Sequence, residues 1–454
     1  MNLWKLLNTN NKRTLFTTPT HSQKAPFLKE LNEFYKRDLS EIEGLDNLSD
    51  PKGVIKQAQF RASEIYGTEK TLFITQGSTT AILAIMKAII RPMDKILVAR
   101  NCHKSVINGA VICNADISWI MPDIKNEASN NFGIYGAINP KDLENQLKLN
   151  DYKAFILTSP TYEGINSDIE AISKICKQYN TYLIVDEAHG SLYNFSSSFP
   201  KTAIQQGADF SVNSLHKNAG ALNQCALLHV SKDVKNFDFD IIQKTVNLFH
   251  TTSPSYPLIA NIEETINFLS SKEGLKTIDD LVLNILSFKK YFLNTGYEFL
   301  EGENHDITKL FIKLKGLEGN KLSNILSEKF NIEDELNNCF GSLFLTGIGT
   351  EKSKLDKLRI ALLKILDMKL ELNDEPIADF QPMPLVKVQP CAALYTPYTY
   401  INKEDSELQI SADSIIPYPP GFGVLYSGEC IQEWHMKYLE DNVRVIKLWT
   451  KKEQ

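Results

Sequence analysis

Ser211-Val-Asn-Ser-Leu-His-Lys-Asn-Ala-Gly-Ala-Leu-Asn-Gln-Cys-Ala226 is the stretch around which the chain is organised. It sets Lys217 directly after His216 and three residues after Ser214, with Asn218, Ala219, Gly220 and Ala221 behind it. A lysine among small, weakly polar neighbours is partly desolvated, which lowers its pKa and makes its amine a usable nucleophile. A Schiff base with an aldehyde cofactor requires such a lysine. The ordinary alternative is a loop lysine in water, so the surroundings must decide.

Outward from this stretch, near-continuous apolar runs alternate with amphipathic ones. Strands are expected at 71–75, 95–99, 117–120, 154–158, 182–186, 210–213 and 226–230, with helices at 81–90, 103–113, 140–147 and 169–179. Buried strands alternating with helices predict a mostly parallel seven-stranded α/β sheet covered on both faces, with function at the carboxyl ends of its strands. Residues 1–50 read as a polar arm, with a turn at Thr17–His21 and a short helix from Leu28 to Tyr35; Asp50-Pro-Lys-Gly53 is a break. The expected organisation is an arm over 1–50, a large domain over 51–270, a small α+β domain over 271–375 and a C-terminal segment over 376–454. Long helices at 259–269 and 275–293 lead into the small domain, with strands at 310–314 and 342–345 and helices at 321–330 and 352–366. Residues 373–390 read as a linker, and Ile415–Gly421 as an extended, turn-rich element.

Composition narrows the function classes. The 454 residues carry a formal net charge of −6 without a long basic run, which gives no electrostatic case for nucleic acid. Seven scattered cysteines, with no C-x-x-C, and no histidine pair at zinc spacing argue for free thiols in a reducing compartment and no metal site. No apolar run is long enough to span a bilayer, and the N-terminus lacks a secretory core, so a cytoplasmic protein is expected.

Four features fall at strand ends. Gly77-Ser-Thr-Thr80 offers free backbone N–H groups and hydroxyls, which suit a phosphate, although an ordinary helix start has the same look. Asp186 ends the strand in Val185-Asp-Glu-Ala-His189. A helicase would also carry Asp-Glu-Ala-His, but it needs a Gly-Lys phosphate loop, and no Gly-Lys dipeptide occurs. His103 follows a strand and could stack on an aromatic ring; alone it reads more simply as a satisfied histidine. With Lys217, these parts together suit pyridoxal 5'-phosphate.

On these residues the chain resembles the Orn/Lys/Arg decarboxylases. Ser214-Leu-His-Lys217, with Gly220, Ala221 and Gln224, is similar to their lysine-attachment signature. Further matches are Glu43–Leu48, Asp50–Gly53, Asn101–Ser105, Thr158-Ser-Pro-Thr-Tyr-Glu-Gly164, Val185–Gly190, His250–Pro254, and Pro417–Gly421 with Gly428 and Glu429, so nearly the whole chain is covered. The resemblance implies the aspartate-aminotransferase-like (type I) fold with a smaller α+β C-terminal domain. It also implies the short form without an amino-terminal wing domain, and a homodimer with active sites at its interface.

By the same resemblance, Lys217 would hold the cofactor and Asp186 would pair with its pyridinium nitrogen. Ala188 would pack beneath the ring and His103 above it. Ser78, Thr79, Ser214 and Thr252 would hold the phosphate, Thr252 reaching across a dimer interface. His216 would lie near the substrate carboxylate or deliver a proton. Glu335, with Thr251 a second candidate, would meet the cationic end of a basic amino acid; a solvated turn is the plain alternative for Glu335 and its neighbours Glu333 and Asp334. Departures fall at Thr20, Ser22, Asn223, Cys225, Cys391 and Ala392, most of them away from the cofactor contacts. The implied activity is decarboxylation of arginine or lysine, less so ornithine, in polyamine metabolism. Aminotransfer on the same cofactor, or a cofactor-binding paralogue without catalysis, are the rival readings.

Overall fold

The computed structural model describes residues 2–10, 19, 23, 29–417, 421 and 423–447. All of the expected turn at Thr17–His21 except Pro19, the departures at Thr20 and Ser22, the start of the 28–35 helix and residues 418–420 of the Pro417–Gly421 motif lie outside them.

Seven strands form the central sheet: β1 (Lys70–Ile74), β2 (Lys95–Ala99), β3 (Asp116–Ile120), β4 (Ala154–Thr158), β5 (Tyr182–Asp186), β6 (Phe210–Ser214) and β7 (Ala226–Val230). Their order is β1-β7-β6-β5-β4-β2-β3. Only β7 pairs antiparallel, with β1 and β6, so the other six strands share one direction and one carboxyl edge.

Alternating strand residues feed the two faces. Ile96 and Val98 pack in the cluster of helices Gly77–Ile89, Lys104–Cys113 and Phe239–Phe249. Leu97 and Ala99 pack in the opposite cluster, against Pro140–Leu149 and Ile169–Gln178. Both faces are therefore buried, as the unbroken apolar strands require. Helix Phe239–Phe249 was not expected from the sequence, and the 81–90 helix begins earlier, at Gly77, so the expected loop at 76–80 supplies its first turn.

A second sheet is antiparallel, in the order β10-β11-β9-β8: β8 (Tyr297–Phe299), β9 (Lys309–Leu314), β10 (Leu336–Asn337) and β11 (Ser342–Leu345). Helices Gly319–Phe330 and Lys352–Leu366 match their expected segments closely. A two-stranded ribbon, β12 (Tyr398–Asn402) with β13 (Asn442–Ile446), was not foreseen.

The reading of residues 1–50 as a polar arm is also too plain. Leu3–Asn10 is a helix whose Leu3 and Leu7 are fully buried, an i, i+4 pair on one face. The backbone N–H of Leu3 donates to buried Glu263 Oε2 at 2.8 Å, on helix Tyr256–Leu269. Among the described residues, no helix is long and apolar enough to cross a membrane.

Candidate active site

The carboxyl edge gathers the chemistry. Ser78 follows β1, Asn101 and His103 follow β2, Thr158, Thr161, Tyr162 and Glu163 leave β4, Asp186, Ala188 and His189 leave β5, and Lys217 leaves β6. Together with Tyr135 they line one pocket.

Lys217 lies in the one-turn helix Leu215–Asn218 that begins where β6 ends. Its Nζ sits 2.9 Å from His189 Nε2 and 5.1 Å from the centre of the Tyr162 ring. Burial pulls the amine below the usual lysine range, and Lys309 adds to this; Asp186 and Glu335 pull the other way. Asp186 is itself buried, which raises its pKa against the opposing pull of Lys217 and of the Ala188 N–H, which donates to Oδ1 at 3.2 Å. Lysine and carboxylate thus lean toward their neutral forms.

Glu187, next in the chain, turns away from the pocket. It accepts from Ala203 N at 2.7 Å and Asn213 Nδ2 at 3.3 Å, and burial pushes its carboxyl up to about 8. His103 caps helix Lys104–Cys113, its Nδ1 accepting from Ser105 N at 3.2 Å, and burial takes its ring down to about 4. His103 is therefore a neutral ring at the pocket wall.

The first turn of helix Gly77–Ile89 has no cap from the Gln76 side chain, which leaves the N–H groups behind Gly77 for a ligand. Gly77 there adopts φ +79°, a left-handed turn suited to glycine, and its N–H donates to Gln224 O at 2.9 Å. Thr158 Oγ1, on the pocket wall, and Ser214 Oγ are buried without hydrogen-bond partners among the described residues.

Of the residues singled out in the sequence, Ser78, His103, Asp186, Ala188 and Lys217 line the pocket. His216 is not among the lining residues; its Nδ1 lies 3.2 Å from Cys225 O, and burial lowers its pKa, the Cys225 carbonyl opposing and Lys217 adding to the fall. Glu335 is exposed but accepts a hydrogen bond from the Tyr162 hydroxyl, which brings it beside the Lys217 neighbourhood. Thr79 is exposed on the helix start. Thr251 and Thr252 are not brought to the pocket within one chain. Thr251 N donates to Gln76 Oε1 at 2.8 Å, just ahead of the Gly77 turn, and Thr252 is exposed.

Sequence reasoning gave no role to Tyr135, Tyr162, Glu163 or His189. Tyr162, Glu163 and His189 all lay inside quoted motifs, so their positions were marked but their contacts were not. Glu163 is a buried carboxyl on the pocket wall, its pKa raised by burial against a Thr161 hydrogen bond. Such a group gains from a cation brought in by a ligand.

The family profile described as "Orn/Lys/Arg decarboxylase, major domain" matches residues 3–313. The chain is 31% identical to an arginine decarboxylase of Bacillus subtilis over 94% of its own length and 90% of the relative's. It is 30% identical to an arginine decarboxylase of Bacillus anthracis, with the same coverage of 94% and 90%. In fold it is similar to the constitutive lysine decarboxylase of E. coli, with TM-score 0.84 and 20% identity, covering 98% of this chain and 82% of that one. An alanine–glyoxylate aminotransferase from Nostoc sp. shares the fold at TM-score 0.55 and 17% identity, over 70% of this chain and 89% of that one.

Proposed function

Because the chain belongs to the Orn/Lys/Arg decarboxylase family, we propose that it removes the α-carboxyl group of arginine or lysine, with ornithine less favoured, at the Lys217 pocket. The observation that carries this reading is the convergence of Lys217, Asp186, His103 and Ser78 on one pocket at the carboxyl edge.

The family's cofactor is pyridoxal 5'-phosphate, and the residues fit it. An uncapped helix start suits a phosphate, and the unpaired hydroxyls of Thr158 and Ser214 are buried donors in want of a partner. When bound, the cofactor supplies an aldehyde for an amine and an aromatic ring that takes up the electron pair left on the α-carbon as carbon dioxide departs. Lys217 Nζ would attach it. The Asp186 carboxylate would hold a proton on the ring nitrogen, Ala188 and His103 would fix the ring's two faces, and Ser78, Thr79 and Ser214 would hold the phosphate. Exposed Thr252 would complete the phosphate site from the second copy of a homodimer, with Thr251 beside it.

His216 or Lys217 Nζ would return a proton to the substrate's α-carbon. Glu163 and Glu335 would draw the cationic end of the substrate. The similarity to two bacterial arginine decarboxylases favours arginine as substrate. A cytoplasmic enzyme supplying polyamine biosynthesis fits this chemistry.

Carbon dioxide release from arginine, lysine and ornithine, measured on the full chain loaded with pyridoxal phosphate, tests the reading. Arginine or lysine should give carbon dioxide and the matching amine, and Lys217→Ala should give neither. Glu163→Gln and Glu335→Ala should raise KM about tenfold or more, as expected for losing a hydrogen bond to a charged group. Turnover that needs a keto acid and releases no carbon dioxide would replace decarboxylation with aminotransfer. A bound cofactor with no amine product would point to a non-catalytic paralogue.

A further inference from the structure

His189 lies one residue past Ala188, on the loop that leaves β5. Its ring is 3% exposed. Nε2 stands 2.9 Å from Lys217 Nζ, and Nδ1 is buried with no partner among the described residues. The ring leans on Tyr162, with centroids 4.7 Å apart.

The backbone of His189 is fixed as well. Its carbonyl accepts from Asn218 Nδ2 at 2.9 Å and from Lys309 Nζ at 3.4 Å. Lys309 is in turn fully buried and paired with Asp306 at 3.1 Å. Gly164, at φ +102°, leaves room for that lysine, since a Cβ there would lie 2.8 Å from Lys309 Cγ. The four-stranded sheet, through Lys309 on β9, thus clamps the loop that aims the His189 ring.

A proton sits on one nitrogen of a neutral imidazole, and the geometry decides which. A proton on Nδ1 would strand a buried N–H donor. It would also leave Nε2 as an acceptor for a charged ammonium in a buried pocket. A proton on Nε2 leaves only a lone pair unpaired and donates toward a free-base amine. Buried donors without partners are the rarer defect.

The groups around Lys217 divide. Asp186 at the end of β5 and Glu335 ahead of β10 favour the ammonium, as does the Tyr162 ring. Burial and Lys309 from β9 oppose it. His103 and His216 are shifted toward neutrality by burial and by Lys217 itself. His189, next to Lys217, is kept neutral by burial, with Lys217, Lys309, His216 and His103 adding to the effect.

We propose that His189 is a positioning residue for Lys217: its Nε2–H donates to Nζ, holding that nitrogen as a free-base amine aimed into the pocket. The proposal rests on the reading of Lys217 as the cofactor lysine. It adds a residue that readies the amine before the cofactor arrives.

The full-length chain, freed of cofactor, is mixed with pyridoxal phosphate over a range of about pH 6 to 10, and the rise in visible absorbance gives the rate of capture and its pH midpoint. His189→Leu should move the midpoint up by about one pH unit and slow capture about tenfold near neutrality, the size of one net hydrogen bond. His189→Gln, whose amide keeps a donor, should restore most of the rate. A His189→Leu chain with unchanged circular dichroism and an unchanged midpoint overturns the proposal. So does a His189→Gln chain displaced as far as His189→Leu, because then only packing matters.

If His189→Leu fails to fold, histidine-selective ¹⁵N NMR of the unsubstituted chain decides. With eight histidines to resolve, the His189 signal should be that of the Nε2–H tautomer, and an Nδ1–H signal overturns the proposal. Failure of the underlying reading looks different: the unsubstituted chain captures nothing, or Lys217→Ala captures normally, and the role of His189 falls with it.

Discussion

Two basic side chains leave the same carboxyl edge of the sheet and are treated in opposite ways. Arg100 follows β2 and is fully satisfied. Nη1 donates to Glu429 Oε1, and Nη2 donates to Glu429 Oε2 at 2.9 Å and to Val424 O at 3.2 Å. Its guanidinium lies 4.7 Å from the Trp119 ring centre and 4.6 Å from that of Tyr426. Lys217 follows β6 and has no carboxylate within ion-pair distance among the described residues; its neighbours include the unpaired Thr158 Oγ1 and His189 Nδ1. Arg100 is the more deeply buried of the two, so burial does not mark the site. The difference is satisfaction: a completed polar network holds a segment in place, whereas an incomplete one keeps its strength for a ligand.

The largest effect should come from breaking the completed network. Glu429→Ala would leave the Arg100 guanidinium buried without its carboxylate. The expected cost is about 3–5 kcal/mol of stability, measured by denaturant unfolding. Because Glu429 ties the C-terminal segment to the end of β2, that segment should also lose hydrogen-exchange protection ahead of the central sheet. A loss under about 1 kcal/mol would mean that the pair is no more than a surface-type contact, and the comparison would fail.

Asp186→Asn should do the reverse. Burial raises the folded-state pKa of Asp186. A group shifted that way contributes stability that is complete below the ordinary aspartate pKa and lost as pH rises through the folded value. At neutral pH its charge is therefore a burden, and replacing it with an amide should leave stability unchanged or higher. Activity should fall about 10²- to 10³-fold, the usual cost of removing one preorganised charge. A destabilised Asp186→Asn chain with normal turnover would place Asp186 with Arg100 rather than with Lys217.

The two regions also differ in how far the sequence reveals them. The alternation of apolar strands and amphipathic helices located all seven central strands, because a strand buried on both faces leaves a run such as Ile96-Leu-Val98 that little else produces. Lys217, Asp186, His103 and Ser78 were readable for a related reason: each sits within a few residues of a strand end, and strand order then brings the ends together. What stayed hidden depends on contacts made over long sequence separations. His189 and Lys217 are 28 residues apart, Tyr162 and Glu335 are 173 apart, and Arg100 and Glu429 are 329 apart. No local spacing encodes those pairs. The buried face of Leu3–Asn10 was missed because its polar residues outnumber the two leucines that decide its position.

Asp46 supplies the smallest and most local test. It lies in the Glu43–Leu48 motif, whose resemblance to the decarboxylases says nothing of a physical role. Its carboxylate accepts from the backbone N–H groups of Lys52 at 2.9 Å, Gly53 at 2.8 Å and Ile55 at 3.0 Å. These open helix Val54–Tyr66, whose N-cap, Gly53, has no side chain of its own to offer. Asp46 is therefore a satisfied group like Glu429, but half-exposed and paired with dipoles instead of a cation. Asp46→Ala should cost about 1–2 kcal/mol, the range for a lost helix cap.

The sign with pH is fixed too. Burial tends to raise the Asp46 pKa, but the backbone N–H groups outweigh it and hold the pKa below the ordinary value. Its contribution is then present above the unfolded-state pKa and lost as pH falls through the folded one. Unfolding of the two chains compared at neutral pH and again below about pH 3 should show the gap close on acidification. A gap that stays constant would assign the loss to packing of the side chain, and the rule drawn from Arg100 and Lys217 would not extend to half-buried carboxylates.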